Sequence, residues 1–121
     1  MIKLGSHVSM SSPDYVLGSI KEALSYNANA LMLYTGAPQN SYRVPIDKLR
    51  ISEAVSLWLE NGMDMKDIVI HCPYIINLAN TLKPEIFDMG KEVLTKEIER
   101  TKAIGACWMV LHRSEERRVG K

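Results

Sequence analysis

The residues of this sequence best suited to chemistry are its three histidines, His7, His71 and His112, each of which follows an apolar run of strand length. Tyr34 and Thr35 follow a further apolar run in the same way. In parallel β/α folds, ligands bind at the carboxyl ends of the strands, because loops and helix N-termini converge there. We therefore expect these side chains to share one edge of the predicted sheet.

His71 and His112 are candidates for a shared metal site because they end consecutive predicted strands. Their backbones are expected to stand about 5 Å apart, and two imidazoles at that spacing could bind one zinc ion at about 2.1 Å each. A single histidine at a strand end is more often structural than a ligand, and that interpretation stays open. Two histidines also leave a divalent metal short of ligands, and no carboxylate occupies an equivalent strand end. The sequence predicts an incomplete site.

Alternating strands and helices must position these residues. Apolar runs of strand length cover residues 2–4, 30–34, 68–70 and 107–111. Apolar residues at helical spacing lie between them. These are Val16, Leu17, Ile20, Ala23 and Leu24, then Ile51, Ala54, Val55, Trp58 and Leu59, then Ile86, Phe87, Val93, Leu94 and Ile98. The predicted order is β-α-β-α-β-α-β.

Residues with strong boundary preferences agree with this order. Ser12 is expected to cap a first helix that begins at Pro13, and Pro84 is expected to begin the third helix. Gly62 and Gly105 follow the second and third helices, where glycine readily adopts a left-handed conformation.

Such an alternation implies parallel strands joined by right-handed crossovers, in either an open doubly wound sheet or a closed (β/α)8 barrel. The length of 121 residues favours the open sheet, because a complete barrel takes about 250 residues. In the barrel interpretation, the chain supplies about half of the strands and the sheet keeps an unpaired edge.

The composition, 46% hydrophobic and 24% charged, is typical of one globular unit. No run approaches the roughly 18 apolar residues that cross a bilayer, and no signal peptide is recognisable, so we expect a cytoplasmic protein with no membrane partner. The net charge of +1 means that any nucleic-acid binding would have to come from local loops. Cys72 and Cys107 lack C-x-x-C spacing and are expected to be reduced thiols.

Four short segments together resemble a known family. They are GSHVS at residues 5–9, YTGAPQN at residues 34–40, HCPYIINL at residues 71–78 and VLH at residues 110–112. They are similar to the first four strand ends and loops of the endonuclease IV family of DNA-repair enzymes. The resemblance covers residues 2–112, and it depends on the segments jointly because each one alone is weak.

The resemblance implies an α/β fold, a partial (β/α)8 TIM barrel with about four parallel strands and three intervening helices. Residues 1–112 would be its N-terminal half. The family holds three Zn²⁺ ions and hydrolyses the phosphodiester 5′ to an abasic site with a metal-activated water, so no side chain is expected to be the nucleophile. His71 and His112 inherit the role of zinc ligands, together with a glutamate from later sequence. This chain alone would hold at most one partial site and is expected to be inactive.

The resemblance also implies contacts with double-stranded DNA that contains abasic sites. Tyr74 and Ile75 correspond to the residues that enter the DNA at the lesion, where a missing base lowers the cost of unstacking. Gly36, Gln39 and Asn40 correspond to a second DNA-contacting loop. The alternative for both loops is ordinary packing or a polar turn.

Two more residues belong to the same predicted edge. Arg43 is expected to meet the DNA backbone or to fill the gap at the lesion. His7 matches no zinc ligand of the family, so a role behind the ligands or on the DNA side is expected. The family enzyme is expected to be monomeric, whereas the oligomeric state of this chain is not predicted.

Residues 113–121 form a charged segment that departs from the family pattern, which continues with Pro-Gly-Ser-His after the matched histidine. Such a run is usually a solvated tail. The alternative is that this segment is not native sequence.

Two other functions stay open at this stage. A sugar isomerase or epimerase on a related barrel also gathers metal ligands at strand ends, and fold alone does not exclude it. A metal-free interaction module with an open sheet fits the chain length better. The loops at residues 36–40 and 73–78 favour DNA repair, because a sugar pocket would not need them.

Overall fold

The fold is a parallel sheet with helices between consecutive strands. The computed structural model describes residues 2–36, 43–73, 76 and 83–111. Its strands are β1 (Gly5–His7), β2 (Ala30–Leu33), β3 (Ile68–His71) and β4 (Trp108–Val110). Its helices are α1 (Val16–Ser25), α2 (Ile51–Glu60) and α3 (Pro84–Ile104), with short 3₁₀ turns at Ile46–Lys48 and Met65–Asp67. The predicted order of elements is confirmed.

The four strands pair in parallel in the order β1-β2-β3-β4. His7 lies opposite Met32, Leu33 lies opposite Ile70, and His71 lies opposite Val110. Because every strand runs the same way, the carboxyl ends of the described strands meet at one edge. A doubly wound sheet reverses its strand order, whereas a barrel adds each strand beside the last.

One face of the sheet packs against the helices. Leu31, Leu33, Ile68 and Ile70 alternate with less buried residues and belong to a single hydrophobic core with Trp58 of α2. This core also includes apolar residues of α1 and the last residue of α3. A single helical layer on a sheet of sequential order is the arrangement of a barrel wall.

Strand β1 lies further along the chain than predicted. Residues 2–4 were expected to form it, but Ile2 and Leu4 are 76% and 71% exposed. The side chain of Asn29 accepts a hydrogen bond from the Leu4 amide and donates one to the Ile2 carbonyl. The Leu4 carbonyl also accepts a hydrogen bond from the Asn29 amide, and strand pairing with β2 begins only at Gly5.

The start of α1 is also different from the prediction. The helix begins at Val16, so Ser12 does not cap it and Pro13 is not its first residue. Tyr15 has a positive φ of 51°, which ends the preceding turn and excludes residues before it from the helix. The Val16 amide instead donates to the carbonyl of Leu49.

The other boundary predictions are confirmed. Pro84 is the first residue of α3, and Gly62 and Gly105 have φ of 79° and 89° after α2 and α3. The buried face of α3 differs from the predicted one, since Ile98 is 53% exposed. Its buried positions are Gly90, Val93, Glu97, Arg100, Thr101 and Ile104.

Both cysteines are free thiols, as expected, with Cys72 buried and Cys107 exposed. Burial, and secondarily the nearby Glu97 carboxylate, raises the pKa of Cys72 to about 11. Within the described residues, no helix combines the length and the apolar character needed to cross a membrane.

Candidate functional site

Three aromatic rings stand in a row at the carboxyl ends of the first three strands. The ring centroids of His7 and Tyr34 are 4.9 Å apart, and those of Tyr34 and His71 are 4.7 Å apart. His7 and His71 are 6.3 Å apart across the tyrosine. His71 alternates with the buried Ile70, so it lies on the sheet face away from the helices. We call His7, Tyr34 and His71 the ring row.

The imidazole of His71 is oriented by a backbone carbonyl. Its Nδ1 lies 2.7 Å from the carbonyl oxygen of Cys72. A carbonyl only accepts hydrogen bonds, so Nδ1 is the donor, and in a neutral imidazole Nε2 would then carry the lone pair. In a histidine that binds a metal through one ring nitrogen, the N–H group of the other typically donates a hydrogen bond to a backbone carbonyl, a carboxylate or water. The geometry at His71 thus suits metal binding through Nε2.

His7 lies at the other end of the ring row, in a mixed electrostatic environment. Although the residue is exposed, partial loss of water around its ring lowers its pKa, and the neighbouring His71 lowers it further, against the opposing effect of Glu22. Glu22 of α1 accepts hydrogen bonds from the amide and hydroxyl of Ser9 and from the hydroxyl of Tyr26. These bonds, that from the Ser9 amide first, lower the pKa of Glu22.

An open cavity of about 550 Å³ adjoins the ring row. It is lined by His7, Val8, Ser9, Met10, Glu22, Tyr34 and Gly36. Its walls come from the ends of β1 and β2 and from α1, which is the edge where a barrel binds its ligands. The cavity therefore links the predicted site residues His7 and Gly36.

Five predicted site residues lie outside the described residues: Tyr74, Ile75, Gln39, Asn40 and His112. Their predicted roles in DNA and zinc binding therefore stay predictions.

Arg43 differs from its expected role. Its side chain is nearly fully buried, and its Nε donates to Oε2 of Glu97 at 2.7 Å. It therefore points into the fold and does not present its guanidinium at the rim, because a buried carboxylate on α3 binds it. The expected contact between Arg43 and the DNA backbone stays a prediction.

Glu97 is the centre of a polar cluster that the sequence did not predict. Its Oε1 accepts a hydrogen bond from the hydroxyl of Thr35 at 2.6 Å, and Arg100 donates to Thr35 and to the carbonyl of Val44. Thr35, Glu97 and Arg100 are 1%, 0% and 4% exposed. We call Thr35, Arg43, Glu97 and Arg100 the buried polar cluster.

A signal for this cluster exists in the sequence. Glu97 and Arg100 lie at helical spacing with Val93 and Ile104, on the face that packs inward. Charged residues at such positions interrupt an apolar pattern and need partners when buried. The prediction placed Ile98 on that face and so overlooked them.

The described part of the chain contains no group of three or more His, Cys, Asp or Glu side chains placed to hold a metal. His71 has the hydrogen bonding of a ligand, but its predicted partner His112 is outside that part.

The chain is similar to curated proteins over most of its residues but only part of theirs. "Probable endonuclease 4" of Listeria welshimeri is 52% identical over 112 residues, which are 93% of this chain and 37% of that protein. The protein of the same name from Bacillus licheniformis is 54% identical over the same shares. The chain thus spans little more than a third of the length of these relatives. No protein-family model matches it.

The fold is similar to that of a solved structure over most of this chain. Endonuclease IV from Thermus thermophilus aligns with a TM-score of 0.78 and 22% identity, over 92% of this chain and 40% of that one. With the four parallel strands and three helices, this likeness confirms the predicted partial TIM barrel over the open sheet. In sequence the chain is thus similar to part of proteins named probable endonuclease 4, and its fold is that of part of the endonuclease IV barrel.

Proposed function

We propose that the chain is part of a DNA-repair endonuclease that hydrolyses the phosphodiester 5′ to abasic sites. The endonuclease 4 names of the relatives support a nuclease. The four segments that resemble the family support the abasic substrate. The position of the ring row and its cavity at the carboxyl ends of the strands supports a site at this edge.

His71 and His112 are the proposed zinc ligands. The observation that carries this proposal is the hydrogen bond from Nδ1 of His71 to the Cys72 carbonyl, which leaves Nε2 as the ligating nitrogen. Val110 pairs with His71, and His112 is two residues further along the chain. Zinc bound there would polarise the phosphate and activate a water.

The proposed DNA contacts come from the two loops beside the zinc ligands. Tyr74 and Ile75 would wedge into the duplex at the lesion, and Gly36, Gln39 and Asn40 would contact its backbone. Gly36 is a wall of the cavity at the strand ends, which supports this placement. His7, on the same wall, would act next to the DNA or behind the ligands.

The proposed activity belongs to a longer protein than this chain. The chain spans 37% of the length of its relatives, and the resemblance assigns most metal ligands to the part beyond residue 112. We therefore expect no cleavage of abasic DNA by the purified 121-residue chain. Cleavage that EDTA abolishes, in a preparation free of other nucleases, would refute this expectation.

Zinc titration calorimetry near pH 7.5, where imidazole is mostly neutral, tests the metal assignment. The wild-type chain should take up zinc, and both His71→Ala and His112→Ala should abolish the uptake. His7→Ala is the matched control, because it removes a histidine of the ring row that is not a proposed ligand. Uptake that survives either ligand substitution would contradict the assignment.

A further inference from the structure

We propose that Glu97 and Arg100 of α3 are positioning residues for the segment that follows β2. They bind the chain on both sides of residues 37–42, before that segment begins and after it ends. The contacts with Thr35 on one side and with Arg43 and Val44 on the other carry this inference.

On the side nearer β2, Thr35 is held through both its side chain and its backbone. Its hydroxyl donates to Oε1 of Glu97 at 2.6 Å and accepts from Nε of Arg100 at 3.2 Å. Its carbonyl accepts from Nη2 of Arg100 at 3.0 Å. These hydrogen bonds therefore fix where the chain leaves β2.

On the side nearer α2, Glu97 and Arg100 bind Arg43 and Val44. Oε2 of Glu97 accepts from Nε of Arg43 at 2.7 Å. Nη1 of Arg100 donates to the carbonyl of Val44 at 2.6 Å. The guanidinium of Arg100 thus joins the carbonyls of Thr35 and Val44, and the planar fork of arginine suits this task better than a lysine ammonium.

Gly36 brings the two sides into direct contact. A Cβ atom at this position would lie 2.5 Å from Cδ and 2.7 Å from Nε of Arg43. The end of the Arg43 side chain therefore lies over the backbone at Gly36, and a Cβ atom there would require Arg43 to shift.

The chemistry of the cluster favours a positioning role over stabilisation alone. Burying an ion pair often stabilises a fold no more than apolar residues of similar volume would. Directed hydrogen bonds, by contrast, define the place of each carbonyl and hydroxyl that they bind. Since Gly36 also lines the cavity beside His7 and Tyr34, the cluster sets the backbone at the rim of the site. Its importance for DNA binding rests on the function proposed above.

Limited digestion with trypsin tests the anchoring directly. Arg43 is buried against Glu97, so the protease can bind it only after that contact breaks. In Glu97→Gln, the initial rate of cleavage after Arg43 should rise by about tenfold or more, because an amide cannot form the ion pair with the guanidinium. Cleavage after Arg50, which is partly exposed, is the internal reference and should change far less.

A matched variant separates this effect from a general loss of charge on α3. Glu99→Gln makes the same substitution two residues away, on the exposed side of the helix, and should leave both cleavage rates unchanged. Equal acceleration after Arg43 and Arg50 in Glu97→Gln would indicate global destabilisation and would overturn the proposal. So would an unchanged rate after Arg43.

Milder variants keep the test valid if Glu97→Gln does not fold. Thr35→Val removes the hydroxyl that joins Glu97 to Arg100, whereas Thr35→Ser keeps it. The valine variant should speed cleavage after Arg43 and the serine variant should restore the wild-type rate. If the serine variant is cleaved as fast as the valine variant, the hydroxyl has no positioning role.

Binding to a duplex that contains a tetrahydrofuran abasic analogue distinguishes this proposal from the proposed function. If the wild type binds it in preference to intact duplex, Glu97→Gln should bind about fivefold or more weakly, with Glu99→Gln unchanged. Equal binding by Glu97→Gln and the wild type would overturn the link to DNA. Absence of binding by the wild type contradicts the proposed function, while the digestion rates still decide the anchoring.

Discussion

Tyr34 and Thr35 are adjacent in the chain, yet they belong to two polar groups in opposite environments. Tyr34 stands in the ring row beside an open cavity. Thr35 lies in the buried polar cluster, where nearly all surface is covered and ions are paired through hydrogen bonds. The difference shows that one strand end can place neighbouring side chains in two environments, beside an open cavity on one side of the sheet and in a hydrogen-bonded cluster on the other.

The largest difference between the two groups is expected from removing the central carboxylate. Glu97→Ala leaves Arg43 and Arg100 buried without their anion, so the free energy of unfolding should fall by about 3–5 kcal/mol. His71→Ala, in the ring row, should lower it by about 1 kcal/mol or less. Urea unfolding followed by circular dichroism measures both. Similar losses for the two variants would remove the distinction between them.

The neighbours at the end of β2 give a closer comparison. Thr35→Val keeps the side-chain shape but removes one hydrogen bond each from Glu97 and Arg100, so about 1–3 kcal/mol should be lost. Tyr34→Phe keeps the ring contacts with both histidines and should change stability by no more than about 0.5 kcal/mol. Thermal unfolding of the two variants would show this. A greater loss of stability in Tyr34→Phe than in Thr35→Val would contradict the difference between the two groups.

The smallest effect concerns Cys72. Its carbonyl accepts a hydrogen bond from His71 of the ring row, while its thiol faces the core. Its raised pKa, about 11, keeps the thiol protonated at about pH 8, and burial shields it from reagents. A thiol reagent such as Ellman's should therefore label Cys107 in the folded chain, and Cys72 only after denaturation. Rapid labelling of both in the folded chain would show that this part of the core is open.

Local sequence rules predicted much of the fold. Strands β2 and β3 lie where the sequence has uninterrupted apolar runs. The positive φ at Gly62 and Gly105 was expected because glycine readily adopts this conformation after a helix. The start of α1 could not be predicted this way, because the positive φ of Tyr15 and the hydrogen bond between Val16 and Leu49 depend on tertiary packing. Apolar character alone also placed β1 too early, since Ile2 and Leu4 do not enter the core.

The candidate site was predicted only where sequence position implies spatial position. His7 and His71 end parallel strands, so their proximity followed from the predicted topology. The pairing of Arg43 with Glu97 joins residues 54 apart in sequence, and no periodicity links them. Sequence rules predict that each charged residue of such a pair is exposed, because only the fold shows that the two are neighbours.

The tautomer of His71 is the most direct test of the account, because the zinc proposal depends on which ring nitrogen carries the lone pair. A long-range ¹H–¹⁵N correlation spectrum of the metal-free chain near pH 8 reports this for each histidine, with His71→Ala providing the assignment. We predict a protonated Nδ1 and an unprotonated Nε2 for His71, with only Nε2 shifting when zinc is added. A proton on Nε2, or a zinc shift at Nδ1, would contradict the proposed ligand geometry.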